Sequence, residues 1–192
     1  MSRQASSARR PLRFARLLHC LIVIWALLLP QPGPAQDNKP TEYEVEAAYL
    51  SNFGRFVEWP ARSTPGEPFN VCILGQDPFG PLLDGSLKGE NIGGAPLAAK
   101  RLSGIDEASS CRILFISSSK EAQLAPLLAA LGTSHVLTVS DISGFTRRGG
   151  MIQFVLDGNR VRFEINLNAA KHAGLTLSSQ LLKLGLGVRR TP

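Results

Sequence analysis

Beyond residue 35, this 192-residue chain offers few side chains suited to chemistry: two cysteines, two histidines and an arginine pair set between glycines. Cys72 lies in one apolar stretch, Phe69-Asn70-Val71-Cys72-Ile73-Leu74, and Cys111 opens another, Cys111-Arg112-Ile113-Leu114-Phe115-Ile116. If the two stretches are neighbouring parallel strands, the sulfurs lie at one end of the sheet, close enough to bridge. Two buried free thiols are the alternative. Closing about forty residues would restrict the unfolded chain by roughly 4 kcal/mol. No CxxC spacing occurs, which argues against thiol-redox catalysis. Cys72, Cys111, His135 and His172 make a two-Cys, two-His zinc set on paper. Their spacing does not support one, and oxidised cysteines cannot ligate metal. The histidines are expected to be structural, and no metal or other cofactor is expected.

The loop Gly144-Phe145-Thr146-Arg147-Arg148-Gly149-Gly150 is distinctive. Forked guanidinium donors on Arg147 and Arg148, beside exposed backbone amides, suit a phosphate or carboxylate. A glycine turn with solvated arginines is the equal alternative. The loop matches neither a P-loop nor a dinucleotide fingerprint. Ser140-Asp141 and Ser178-Ser179 sit in no nucleophile elbow. Glu58, Asp77 and Glu164 are isolated carboxylates with nothing to pair them for acid–base work. No catalytic residues are assigned, and the chain is read as a non-enzyme.

The elements that must position these residues follow from periodicity. From Thr41 to Pro60 an amphipathic helix is expected, with Val45, Ala48, Tyr49, Asn52, Phe53 and Phe56 on its apolar face. Thr41 and Glu44 form a capping-box pair, and Pro60 stops the helix at or before Trp59. Strands are expected at 69–74, 95–102, 111–116 and 135–140, with helices at 78–87 and 119–131, the latter kinked or restarted at Pro126. Apolar strands alternating with helices argue a parallel sheet covered on both faces. Met151–Leu156 and Arg160–Ile165 flank Asp157-Gly158-Asn159 as an antiparallel hairpin. Leu167–Gly174 and Leu177–Val188 are expected to be helical, the second with a leucine face. The fold class is therefore a single α/β domain, a mostly parallel sheet flanked by helices with a C-terminal antiparallel hairpin.

The N-terminus gives an address. Arg3, Arg9, Arg10, Arg13 and Arg16 precede the apolar run Cys20–Leu29, and Pro30 to Ala35 ends in small residues suited to cleavage after Ala35. This is the pattern of a secretory signal peptide over 1–35, followed by a linker over 36–40 and the domain over 41–190. The run of about ten residues is short for a permanent span. Five of the 21 basic residues and none of the 15 acidic ones lie in the leader, so the mature chain carries a net charge of only +1. That is no footprint for a polyanion, and no nucleic-acid partner is expected. Export to an oxidising compartment favours a disulfide.

Several stretches resemble the YfiR-like periplasmic family: Glu44 to Phe53 with Phe56-Val57-Glu58-Trp59-Pro60; Cys72 to Gly80; Cys111 to Ile116; Leu137 to Asp141 with Gly144-Phe145; Gly149 to Ile152; Arg160 to Asn166; and Leu177 to Leu182. The resemblance implies a small, dimeric α/β periplasmic protein without catalytic activity. Its best-understood members restrain an inner-membrane diguanylate cyclase by binding its periplasmic sensor region, which controls cyclic-di-GMP and biofilm. An outer-membrane lipoprotein is a further partner it suggests. Cys72 and Cys111 match one family cysteine pair. A second pair has no counterpart, since no cysteine lies between Phe145 and Phe154. For the partner surface we single out Trp59 as an aromatic anchor, with Phe56, Glu58 and Glu164 around it and Arg147 and Arg148 nearby. Phe56 and Trp59 as core residues are the plainer alternative. A periplasmic small-ligand sensor or carrier, without a cyclase partner, is the alternative function.

Overall fold

A computed structural model describes residues 40–60 and 66–189. The expected signal peptide, 1–35, and all but the last residue of the linker lie outside the described residues. Helix α1 (Glu42–Phe53) opens the domain. Its capping box forms as expected: the Glu44 amide donates to Thr41 Oγ1 (3.3 Å), and the Thr41 amide donates to Glu44 Oε2 (2.6 Å). The helix stops six residues earlier than the proline rule suggests. A 3-10 turn, Gly54–Phe56, leads into β1 (Val57–Glu58). This strand pairs antiparallel with β9 (Thr176–Leu177), so backbone hydrogen bonding to a distant strand takes over from the helix.

The main sheet has eight strands in the order β10-β8-β7-β6-β5-β2-β4-β3. Its centre is parallel: β2 (Phe69–Leu74) lies between β4 (Ala95–Leu102) and β5 (Ile113–Ile116), and β6 (Leu137–Ser140) follows β5. The expected hairpin is present as β7 (Ile152–Asp157) and β8 (Arg160–Asn166), with β7 parallel to β6. A short β3 (Asn91–Ile92) borders β4, preceded by α2 (Pro81–Leu87).

Alternation along the strands divides the core in two. Val71 and Ile73 of β2, with Ile113 and Phe115 of β5, join α1 on one face. Cys72 and Leu74, with Leu114 and Ile116, join Leu124, Leu131 and Phe145 on the other. Both faces are covered, which is why these strands read as unbroken apolar runs. The second face also contains the bridge: Cys72 and Cys111 are disulfide-bonded, with Cα atoms 5.9 Å apart. Cys72 sits within β2, whereas Cys111 precedes β5, so the link crosses diagonally between adjacent strands.

Two expected helices change form. Residues 119–131 divide into a 3-10 turn (Ser118–Gln123) and α3 (Leu124–Leu131), with Pro126 in the first turn of the restart, where its missing N–H costs little. Leu177–Val188 is not one helix. Only α5 (Ser179–Leu184) is helical, and Gly187–Arg189 forms β10 parallel to β8. Gly185 adopts an extended backbone against the Ile165 side chain, and the Leu186 amide donates to the Phe163 carbonyl (2.8 Å). The free edge of β8 therefore captures the segment. Helix α4 (Leu167–His172) joins β8 to β9.

Candidate functional site

Of the six residues expected on the buried face of α1 and its exit, only Phe53 is fully buried; Tyr49 and Phe56 are partly buried against the core. Ala47 and Leu50 are buried beneath the helix with Phe53, whereas Ala48 and Asn52 are exposed and Val45 and Tyr49 partly so. The expected face instead lines an open groove of about 340 Å³: Val45, Ala48, Tyr49, Asn52, Phe53 and Phe56 on one wall, with Phe163, Leu181 and Leu184 completing it. Its floor is aromatic. Tyr49 and Phe53 stack at 5.8 Å, and both meet Phe163 edge-on at 5.3 and 5.2 Å. Leu184 is 55 % exposed at the rim and Leu186 just beyond it is 49 % exposed. These two leucines leave apolar surface in water at this edge of the groove.

The four residues singled out for a partner do not make one patch. Phe56 lines the groove. Trp59 packs edge-on against Phe69 (5.3 Å) and rests on the core, while Glu58 is exposed on β1. Glu164 follows Phe163 on β8 and therefore points to the opposite face. There it accepts a hydrogen bond from Thr146 Oγ1 (3.2 Å).

The paired arginines also part company. Gly144 and Gly149, at φ +70° and +101°, flank a 3-10 turn, Phe145–Arg148, that buries Phe145 in the second core. A Cβ on Gly150 would overlap the Phe145 ring, so this is a packed turn. Arg148 donates from Nη1 to Glu121 Oε1 and from Nη2 to the Glu121 carbonyl, both at 3.1 Å. Arg147 faces a separate cleft of about 530 Å³ shared with Thr146, Gly149, Asn166, Asn168, Ala169, His172 and Arg189. The cleft brings Arg147 together with Arg189 and not with its sequence neighbour Arg148. Arg189 stands 42 positions away and comes alongside only because β10 pairs with β8.

The remaining candidates have structural tasks. His135 Nδ1 donates to the Ala173 carbonyl (2.7 Å). Ser140 Oγ donates to the Ile116 carbonyl (2.6 Å) and accepts from the Ile142 amide (3.0 Å). Ser178 caps α5, accepting from the Leu181 amide (3.2 Å). Asp77 accepts from the Phe79 and Gly80 amides and from Arg101 Nε (2.9 Å). Glu46, which the sequence reading passed over, is buried on the inner side of α1, where Oε2 lacks a hydrogen-bond partner among the described residues. Burial first, and then the nearby Asp141 and Glu42 carboxylates, pushes its carboxyl up to about 8.

Residues 43–185 match the model of a family described as YfiR/HmsC-like. The chain belongs to that family. The match takes in all but the first residue of α1, the disulfide, the arginine turn and α5, but stops short of β10 and Arg189. Two solved structures share the family member's α/β fold. One is a conserved domain protein from Vibrio cholerae O1 biovar El Tor, at TM-score 0.54 and 11 % identity, covering 78 % of this chain and 60 % of the other. The second is the ABC domain from Streptococcus pneumonia in complex with L-Trp, at TM-score 0.50 and 11 % identity, covering 74 % of this chain. The chain spans 60 % of the length of each, and the likeness is one of fold alone. Among the described residues no helix is long and apolar enough to cross a membrane.

Proposed function

We propose that this protein is an exported regulator that binds the periplasmic sensor region of an inner-membrane signalling protein, a diguanylate cyclase, and holds it inactive. It acts as a binding protein, with no reaction of its own. The observation that carries the proposal is the open aromatic and leucine groove on a YfiR/HmsC-like domain. A groove in which an apolar helix face already supplies one wall suits a partner helix, packed through side chains three and four residues apart. Binding would favour the inactive arrangement of the partner by as much as the regulator's preference for it.

The test is deletion of the gene, followed by measurement of cyclic-di-GMP and biofilm. Both are expected to rise, and to return on complementation with the wild-type gene. Complementation with Ala48→Glu, which places a charge in the groove, is expected to fail although the protein accumulates normally. Unchanged cyclic-di-GMP in the deletion strain, with an intact cyclase encoded beside the gene, would count heavily against the reading.

A further inference from the structure

The cleft at the ends of β8 and β10 has a different chemistry from the groove. Two guanidinium groups, Arg147 and Arg189, and the His172 imidazole line it, with no carboxylate among the described lining residues. Three arginines elsewhere in the described residues are ion-paired: Arg55 with Glu90, Arg101 with Asp77 and Asp84, and Arg148 with Glu121. Arg147 and Arg189 have no such partner among the described residues.

The walls are fixed in place. Asn166 Nδ2 donates to the Thr146 carbonyl (2.9 Å) and Asn166 Oδ1 accepts from the Ala169 amide (3.0 Å). One side chain thus ties the turn that carries Arg147 to the helix that carries His172. Glu164 is not among the residues that line the cleft, and its carboxylate accepts a hydrogen bond from Thr146 Oγ1. Gly144 clears a path for the Arg147 side chain: a Cβ there would stand 3.1 Å from Nη2. We propose that this cleft binds a small organic anion, with a phosphate or carboxylate group held between Arg147 and Arg189 and the His172 ring beside it. Planar forked donors suit either oxyanion. The volume of about 530 Å³ exceeds what a lone phosphate fills and falls in the range of small-molecule sites. The inference is independent of what the groove binds.

The experiment titrates the purified protein with glucose 1-phosphate, succinate and inorganic phosphate at low ionic strength, followed by calorimetry and backbone NMR. Saturable binding of at least one probe is expected, with shifts concentrated at 146–149, 166–172 and 187–189. The phosphate and carboxylate probes distinguish which oxyanion the site prefers. Arg147→Gln and Arg189→Gln should each weaken binding by about tenfold or more, the loss typical of one charge-assisted contact. Arg147→Lys should fall between, because it keeps the charge and loses the fork. Arg148→Gln should bind like wild type, and melting curves verify that each variant folds. No saturable binding up to about 10 mM, the weak end of specific recognition, would overturn the proposal. So would an Arg148→Gln loss as large as that of Arg147→Gln.

Discussion

Ala47 and Leu50 lie on one side of α1, and Val45, Ala48 and Tyr49 on the other, and the two sets are of one chemical kind. Leu50 is completely buried and Ala47 nearly so, packed against the central strands. Ala48 is exposed and Val45 and Tyr49 are only partly covered, although α5 and Phe163 stand opposite them. Apolar periodicity records that both sides avoid water. It does not record whether the covering surface comes from this chain or from another molecule. Inside this chain the inner side has found its partner and the outer side has half of one.

The strongest way to break the comparison is at Leu50. Replacing it by alanine should cost about 2–5 kcal/mol, because a side chain with no solvent contact leaves a cavity that its neighbours only partly fill. Urea unfolding measures this directly, with the midpoint falling and the slope unchanged. A cost below about 1 kcal/mol, ordinary for surface positions, would mean that the inner side is not the core and that the contrast is misplaced.

Glu46 sharpens the same comparison, since it is the one charge-bearing side chain on the buried side of the helix. Its carboxyl is held near 8 in the folded protein against about 4.5 when free. Tyr43 and Glu42 on α1 and Asp141 after β6 face it, and Glu121 acts on Asp141 in turn. Between these values the native state keeps a proton that the unfolded chain has released. Stability from this group is therefore complete below about 4.5 and is lost as the pH rises through 8. Glu46→Gln removes the charged form. It should match wild type near pH 5 and exceed it near pH 9, by on the order of 2 kcal/mol. Thermal melts at the two pH values decide the matter, and identical pH dependence in both proteins would exclude Glu46 as the titrating group.

How far the sequence could be read depended on how local each determinant was. Strands β2 and β4 fall at the expected residues, Phe69–Leu74 and Ala95–Leu102, because short apolar runs between turn residues carry their own boundaries. The β7–β8 hairpin follows from alternation about Asp157-Gly158-Asn159. Helix α1 is legible but its buried face only in part: the expected face includes the buried Phe53 but misses Ala47 and Leu50, since Val45, Ala48 and Tyr49 have helical spacing too. Leu177–Val188 was misread for a related reason: its leucines have helical spacing, but the edge of β8 offers hydrogen bonds that the spacing does not reveal. The cleft was half visible. Arg147 was singled out, yet its neighbour Arg148 is taken by Glu121, 27 positions earlier, and Arg189 arrives through sheet pairing.

The smallest expected change in stability carries the functional half of the comparison. Ala48 is exposed on the helix and lines the groove, so glutamate there keeps good helix propensity and disturbs no buried contact. Unfolding should shift by no more than about 0.5 kcal/mol, as for other surface substitutions. If the proposed function holds, association with the sensor region of the proposed partner should nevertheless weaken by more than tenfold, because the new carboxylate would be buried without a counter-charge in an apolar contact. Purified Ala48→Glu and wild-type proteins, compared by unfolding and by binding to the isolated sensor region, separate the two effects. Loss of stability without specific loss of binding would place Ala48 in the core after all. Unchanged binding would leave the outer side of α1 as an exposed apolar surface with no part in recognition, and the two sides would then differ only in how much water reaches them.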